Sequence, residues 1–482
     1  MNQLSKLFAT LFLKILLLFL LLSSSSVDAQ RRSTSISVSD NGKTSISVKN
    51  GFGNSFHVEF KGDITLSKDD TDVVAISNGG FMEIKKSAFG NRRRILIESN
   101  NSGQLIKKYY VGGSERSFDA EGRKWMAEIL LEVVRTSTLG SEQRVERIYN
   151  QGGARGVLKE VGYMGGNHVK SRYIKLLLEK DLNNADLISV LNVVGDDIDS
   201  DHHRADILKN NTAKFLVTEA GISAFIDATS EIDSDHHKAE VLKRLVKNGS
   251  LKENQMNALF VIARDIDSDY HKANVLTTVL RNSSLNNANL KLLLSTAKEI
   301  DSDHHKSEVF RAALNVPGIS DDTFHTLLNA LSSMDSDSHL DNVLTKVLRK
   351  RLSPSSLSHV LKQTSNMDSD SHKANVLKNA VGHELNDESI DALINVLNHM
   401  DSDHHKADVF KKMARNRYSD GQLAKILMSI KGISSDYHKA ESLIAYSRAV
   451  SNQGQKAKEA YWAVSKSISS NSHYRRVSNA IE

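Results

Sequence analysis

The chain has 482 residues, of which 39% are hydrophobic and 25% charged, with a formal net charge of +5 and no cysteine. The missing cysteine excludes disulfides, thiol catalysis, thiolate metal sites and a lipid-modified cysteine. Charges of both signs are interspersed and the local basic run, Arg92-Arg93-Arg94, lies in a strand-like stretch, so the composition speaks for no nucleic acid as partner and for no polybasic membrane surface.

Residues 1–29 read as a signal peptide. Lys6 precedes the apolar run Leu7–Leu22, broken by Thr10 and Lys14, and Ser23–Ser26 leads to the small-x-small step Val27-Asp28-Ala29. Cleavage after Ala29 is expected, which exports the rest of the chain to a periplasmic or extracellular location. The alternative is a retained anchor, but the run is short for a bilayer and Lys14 would cost about 2–3 kcal/mol near its centre. No later segment has the length and apolarity of a span, so no membrane span is expected after signal cleavage.

Residues 30–118 alternate with period two, as in Ser35-Ile36-Ser37-Val38, Ser45-Ile46-Ser47-Val48, Phe56-His57-Val58-Glu59-Phe60 and Ile95-Leu96-Ile97. Turn signals Asp40-Asn41-Gly42, Asn50-Gly51 and Asn78-Gly79-Gly80 separate them, which predicts a small antiparallel β domain. Its last hairpins should carry Lys and Arg outward, with Phe81, Met82 or Ile84 and Tyr109 or Val111 inward.

Residues 119–198 are expected to hold a linking helix and degenerate cap repeats. Asp119 suits an N-cap for a helix with Trp125, Ile129, Leu130 and Val133 at helical spacing, joined to the β domain without a flexible linker. Gln143–Tyr149 with Arg155–Val161 reads as a degenerate hairpin, and Asn167-His168-Val169-Lys170 lies one period before the first clear motif.

From 199 to 482 the motif IDSDHHKAEVLK returns, with its first acid at Asp199, Asp233, Asp267, Asp301 and Asp335 in steps of 34, then at Asp368 and Asp401 in steps of 33, and with Ser434 and Ser469 in its place thereafter. The fold class is therefore mainly α: an α-solenoid of about 34-residue helical hairpins, a HEAT/TPR-like stack, preceded by the β domain. In one repeat the first helix should run from Asp235 to Lys247 and bury Ala239, Leu242, Leu245 and Val246, with Gly249 as a left-handed cap. The second should run from Glu253 to Asp265 and bury Met256, Leu259, Phe260, Ala263 and Ile266. Asp-Ser-Asp is expected to accept from orphan N–H groups at a helix start and to complement its dipole, and Glu240, in the first turn or just beyond it, to extend that logic.

One histidine position recurs as His203, His237, His271, His305, His339, His372, His405, His438 and His473, while its predecessor varies among His, Tyr and Ser. Recurrence at every interface predicts a packing residue, its ring in the groove and a nitrogen bonded to a carbonyl or capping Asp of the adjoining hairpin. Asp199, Asp201, His202, Asp233, Asp235 and His236 are the candidate metal ligands. Each repeat falls short of the ligand count for zinc or calcium, and equivalent positions in stacked hairpins are expected roughly 8–10 Å apart, too far to converge readily on one ion. An EF-hand is excluded by Lys238 and Arg244 where a Gly and a Glu are required. No enzyme is expected: His383-Glu384-Leu385-Asn386-Asp387 lacks the second zincin His, and a motif repeated along the chain is no asymmetric catalytic site. No cofactor is expected either.

Gly79-Gly80-Phe81-Met82-Glu83-Ile84, Arg93-Arg94-Ile95-Leu96-Ile97, Lys107-Lys108-Tyr109-Tyr110-Val111-Gly112 and the DSDHHKAEVL series resemble a group of bacterial exported proteins. These join a β-rich N-terminal module to SDYxKAxVL-type helical repeats, and similar modules occur fused to membrane metallopeptidases of the β-lactam-sensor type. The resemblance covers nearly all of the chain after residue 29 and implies extracytoplasmic sensing or scaffolding. The peptidase motif is missing here, so peptidase activity is not implied. The expected function is a non-catalytic exported scaffold binding a protein or peptide, with a metal-binding or envelope-sensing array and cell-wall or polysaccharide attachment through the β domain as alternatives.

Overall fold

A computed structural model describes residues 33–38, 42–50, 54–88 and 90–481. The expected signal peptide lies outside the described residues. The chain divides into two compact units at His203/Arg204, inside the helix Asp201–Asn210, and each is taken by itself.

In the first unit, β1 (Ser33–Val38), β2 (Lys43–Asn50) and β3 (Asn54–Lys61) are followed by a separate hairpin, β4 (Ile64–Leu66) with β5 (Val73–Ile76). Then come β6 (Phe81–Ala88), β7 (Asn91–Ser99), β8 (Leu105–Val111) and β9 (Ser114–Arg116). The main sheet is antiparallel in the order β1-β2-β3-β6-β7-β8-β9. Register aligns Ile46, Val58, Ile84, Ile95 and Tyr109 across five strands, and all five are at most 3% exposed. Period-two alternation thus yields one apolar face. Phe81, of opposite parity to Met82, is only partly buried. Gly80 closes the β5–β6 turn where a Cβ would stand 2.4 Å from the Lys61 carbonyl oxygen.

Helix α1 (Ala120–Thr136) is capped by the Asp119 side chain, which accepts from Glu121 N–H. Rather than opening the helical stack, it closes the sheet: Trp125, Met126, Ile129, Leu130 and Val133 share one core with Ile84, Ile95 and Tyr109. The span α2 (Ser141–Gly162) is two helical segments broken at Gly153, whose φ of +60° only glycine takes without strain, and they fold back on each other as the expected hairpin, a Cβ at Gly156 standing 3.3 Å from the Ile148 carbonyl oxygen. Helices α3 (Asn167–Leu178) and α4 (Asn184–Asp197) complete the unit.

A buried ion network ties the β4–β5 turn to these helices. Arg144 Nε donates to Asp70 Oδ2 at 2.8 Å and its Nη2 to Glu160 Oε1 at 3.0 Å, while Arg135 makes a forked pair with Glu160. Burial works against ionisation of Glu160, but Arg135 and Arg144 outweigh it and hold the carboxyl below its usual range.

The second unit is an α-solenoid of helical hairpins. Its pairs include Asp235–Asn248 with Glu253–Arg264, Asp269–Asn282 with Asn287–Lys298, Asp303–Ala313 with Asp321–Ala330, and Asp337–Val347 with Pro354–Ser365. Asp370–Ala380 with Asp387–Asn398, Asp403–Met413 with Asp420–Ile430, and Asp436–Ser451 with Gln455–Ser465 follow, then Asn471–Ile481. First helices pack on first helices and second on second. In the pair from Asp235, Leu242, Leu245, Leu259 and Phe260 are fully buried, each worth about 1.5–3 kcal/mol relative to exposure. Gly249 is extended, φ −101° and ψ 143°, not left-handed. Its reason is space, since a Cβ would meet the Leu245 carbonyl oxygen at 2.9 Å.

Candidate functional site

The recurrent motif forms a seam along successive first-helix starts. The middle Ser caps its own helix at Ser234, Ser268, Ser402 and Ser435, as when Ser402 Oγ accepts from His405 N–H at 3.4 Å, but not at Ser302, Ser336 or Ser369. The second Asp serves a helix start, but that of the next hairpin. Its carboxylate reaches the next repeat and accepts two N–H groups of that Asp-Ser pair. Asp235 takes those of Asp267 and Ser268 at 3.2 and 2.7 Å, and Asp269 those of Asp301 and Ser302 at 3.1 and 2.7 Å. Asp303, Asp337, Asp370 and Asp403 repeat the clasp. Asn167 does half of it in the first unit, accepting from Asp199 N–H at 3.1 Å.

The motif lysine was not anticipated as a functional part, yet Lys238, Lys272, Lys306, Lys373 and Lys439 are all buried. Lys306 Nζ donates to the Ser333 carbonyl at 2.7 Å, at the end of its own hairpin's second helical segment, and lies 3.7 Å from Asp303. Lys373 and Lys439 reach the equivalent carbonyls of His399 and Ser467, and Arg204 that of Glu231. A cation at a helix C-terminus complements the dipole, and two acceptors make a buried ammonium tolerable. The sequence signal was available: a lysine recurring on the stripe where Leu340 stands once.

The fixed histidine is half-buried at every repeat. Its main partners are rings. His236 packs on His237 at 5.2 Å between centroids and on His271 of the next repeat at 5.4 Å. Tyr270 bridges His271 and His305, and His304 bridges His305 and His339. A second run joins His405, His404, His438, Tyr437 and His473. Ser338 and Ser371 interrupt the series, and there His372 makes the anticipated type of contact, Nδ1 lying 2.9 Å from Asp341 of the preceding hairpin. In the first unit His203 lies 5.4 Å from His202 and 5.9 Å from His168.

Among the described residues, the fixed histidines of adjacent repeats are joined only through the variable ring. Equivalent positions do not touch, but the variable ring of one repeat lies between two fixed ones. Of the candidate metal ligands, Asp235 has both oxygens on backbone N–H groups, and Asp199 and Asp233 are exposed at the turns before their helices. Asp201 and His202 open the helix Asp201–Asn210, and His236 is exposed within the ring series. Glu240 is held by Lys243 at 2.5 Å, which lowers its pKa. His383 Nε2 contacts the Leu348 carbonyl oxygen at 2.8 Å rather than a neighbouring carboxylate.

On the outer face of the sheet, His57, Lys85, Arg92, Arg94 and Tyr110 line a cleft of about 370 Å³. Its cations are largely matched: Glu83 pairs with Lys85 and Arg94, and Glu59 with His57 and Lys43. Arg94 also stacks on Tyr110 at 3.8 Å. Among the described residues no helix is long and apolar enough to cross a membrane.

No family model and no curated protein matches the sequence. Among solved structures the chain is similar to PUF-8 in complex with PBE-RNA, with 12% identity over 65% of this chain and 84% of that one and a TM-score of 0.26. It is also similar to the Chs5–Bch1 exomer cargo adaptor complex, at 10% identity over 83% and 84% with a TM-score of 0.18. A third likeness is to APUM23 with its insert region deleted, at 10% identity over 75% and 99% with a TM-score of 0.17. At these scores the likenesses carry no argument about what the chain binds.

Proposed function

We propose that this protein is a non-catalytic exported scaffold whose hairpin stack binds a protein or peptide. The observation that carries this reading is the use of the motif's polar groups. Asp clasps join one hairpin to the next, while Ser caps and Lys clamps hold individual hairpins together, so the recurrent chemistry serves the stack. What the stack then offers a partner is its repeated surface, including the exposed rings Tyr270 and Tyr437, 57% and 51% accessible. Half-exposed tyrosines are efficient contact residues because they add area at small entropic cost.

The test has two arms. Mass spectrometry of the protein recovered from its native envelope should give Gln30 as the first residue; an intact leader would replace cleavage by the retained anchor, and recovery from the cytoplasm alone would refute the export step. Crosslinking in the envelope should capture a protein whose yield falls when Tyr270→Ala and Tyr437→Ala are combined. Unchanged yield with the double variant, or capture of no protein, would remove support for the stack as the binding surface.

A further inference from the structure

We infer that His304, His305 and Glu308 form a site for one divalent transition ion such as Zn²⁺, independently of the scaffold reading. One ligand atom from each of the three lies within 4.8 Å of the others. His305 Nδ1 stands 3.4 Å from Glu308 Oε2, and His304 Nε2 3.9 Å from Oε1. Helical geometry produces this, because residues three and four apart share a face, and both imidazoles meet the carboxylate one turn on. Zinc bonds of roughly 2.0–2.2 Å place tetrahedral ligands about 3.3 Å apart. Small rotamer changes close the present spacing to that value, and the fourth position opens to water. His339, its ring 5.5 Å from that of His304, flanks the site from the next repeat.

The sister repeats show why this one is singular. In the hairpin from Asp403, the acid is the shorter Asp408 and Lys411 occupies its Oδ1 at 2.9 Å. In the hairpin from Asp235, Lys243 holds Glu240. At the matching position beside Glu308 stands Arg311, which makes no ion pair with it among the described residues. Glu308 is thus left to two histidines, two nitrogens and one oxygen being a donor set suited to zinc, nickel or cobalt rather than to calcium.

The test uses the full chain purified without an affinity tag and stripped with chelator. Zn²⁺ titration by calorimetry, and Co²⁺ titration followed by its visible absorption, should reveal one site stronger than any other. His304→Ala and Glu308→Gln should each weaken that site by about tenfold or more, while His404→Ala leaves it unchanged. Glu308 is half exposed and outside the ring series, so metal-free Glu308→Gln should melt with the parent, whereas metal-free His304→Ala loses a ring bridge and should melt slightly lower while staying folded. Equal affinity in all three variants and the parent, or an equal loss in His404→Ala, would overturn the site.

Discussion

Asp303 Oδ2 accepts the backbone N–H of Ser336, one hairpin on, at 2.6 Å, and also that of Asp335 at 2.8 Å, while Lys306 stands 3.7 Å from its other oxygen. One carboxylate thus joins an interface and balances a buried ammonium. Asp303→Ala should cost about 2–4 kcal/mol, because two N–H groups and one charge lose their partner together. Asp303→Asn should cost about half as much, since an amide oxygen performs the single clasp at Asn167. Urea unfolding measures both, and an alanine variant as stable as the parent would disprove the clasp.

The buried lysine need not be a lysine. Leu340 occupies the same motif position at 4% exposure, and Asp337 in that repeat still clasps Asp368 and Ser369. Lys306→Leu should therefore change stability by less than about 1 kcal/mol, whereas Lys306→Ala, which leaves a cavity, should cost about 2 kcal/mol or more. Equal losses in the two would mean the ammonium itself is required.

The ring series predicts opposite effects at two sites. With chelator present, His305→Ala, which removes the ring between Tyr270 and His304, should cost about 1–2 kcal/mol, and His473→Ala near the last helix clearly less. Ser371→Tyr should restore a bridge between His372 and His405 and stabilise by about 0.5–1 kcal/mol. Equal small losses at 305 and 473 would refute the packing role.

Gly80→Ala should destabilise the first unit by about 2–4 kcal/mol, because its Cβ would meet backbone oxygen at 2.4 Å and the Ile76 side chain at 2.8 Å. Gly79→Ala tests another cause, positive φ in open space, and should cost only about 1 kcal/mol. Differential scanning calorimetry ranks the two, and the reverse order would show the turn to be misplaced.

His359 lies 5.9 Å from His325 between ring centroids. Burial first, then the charges of His325 and Lys362, hold its pKa below the usual imidazole value. The folded chain therefore binds this proton less readily than the unfolded one. Its contribution is complete above the unfolded pKa and is lost as pH falls through the folded value. His359→Gln should flatten the fall of stability between about pH 7 and pH 5, and His325→Ala should raise the His359 pKa in an NMR titration. An unchanged pKa would exclude His325 as a cause.

Local rules made much of this protein legible. A period of 34 with apolar stripes at steps of three and four determines hairpins that cannot bury their faces alone, so the stack, its helix bounds at Asp235 and Glu253, and the inward face of the sheet follow from short-range pattern. The N-cap at Asp119 was equally local. What only tertiary structure decided lies between elements distant in sequence. Asp269 reads as an acceptor at a helix start, and it is the packing of the next hairpin that brings Ser302 N–H within 2.7 Å. Helix α1 carries an apolar stripe that any layer would satisfy, and the sheet took it. Asp70 and Arg144, 74 positions apart, meet through no pattern in the chain. The three groups around Glu308 share a helix face visible in the sequence, but their freedom from a competing cation depends on where Arg311 points. Periodicity specifies which face is buried, whereas the partner of a polar group depends on three-dimensional distance.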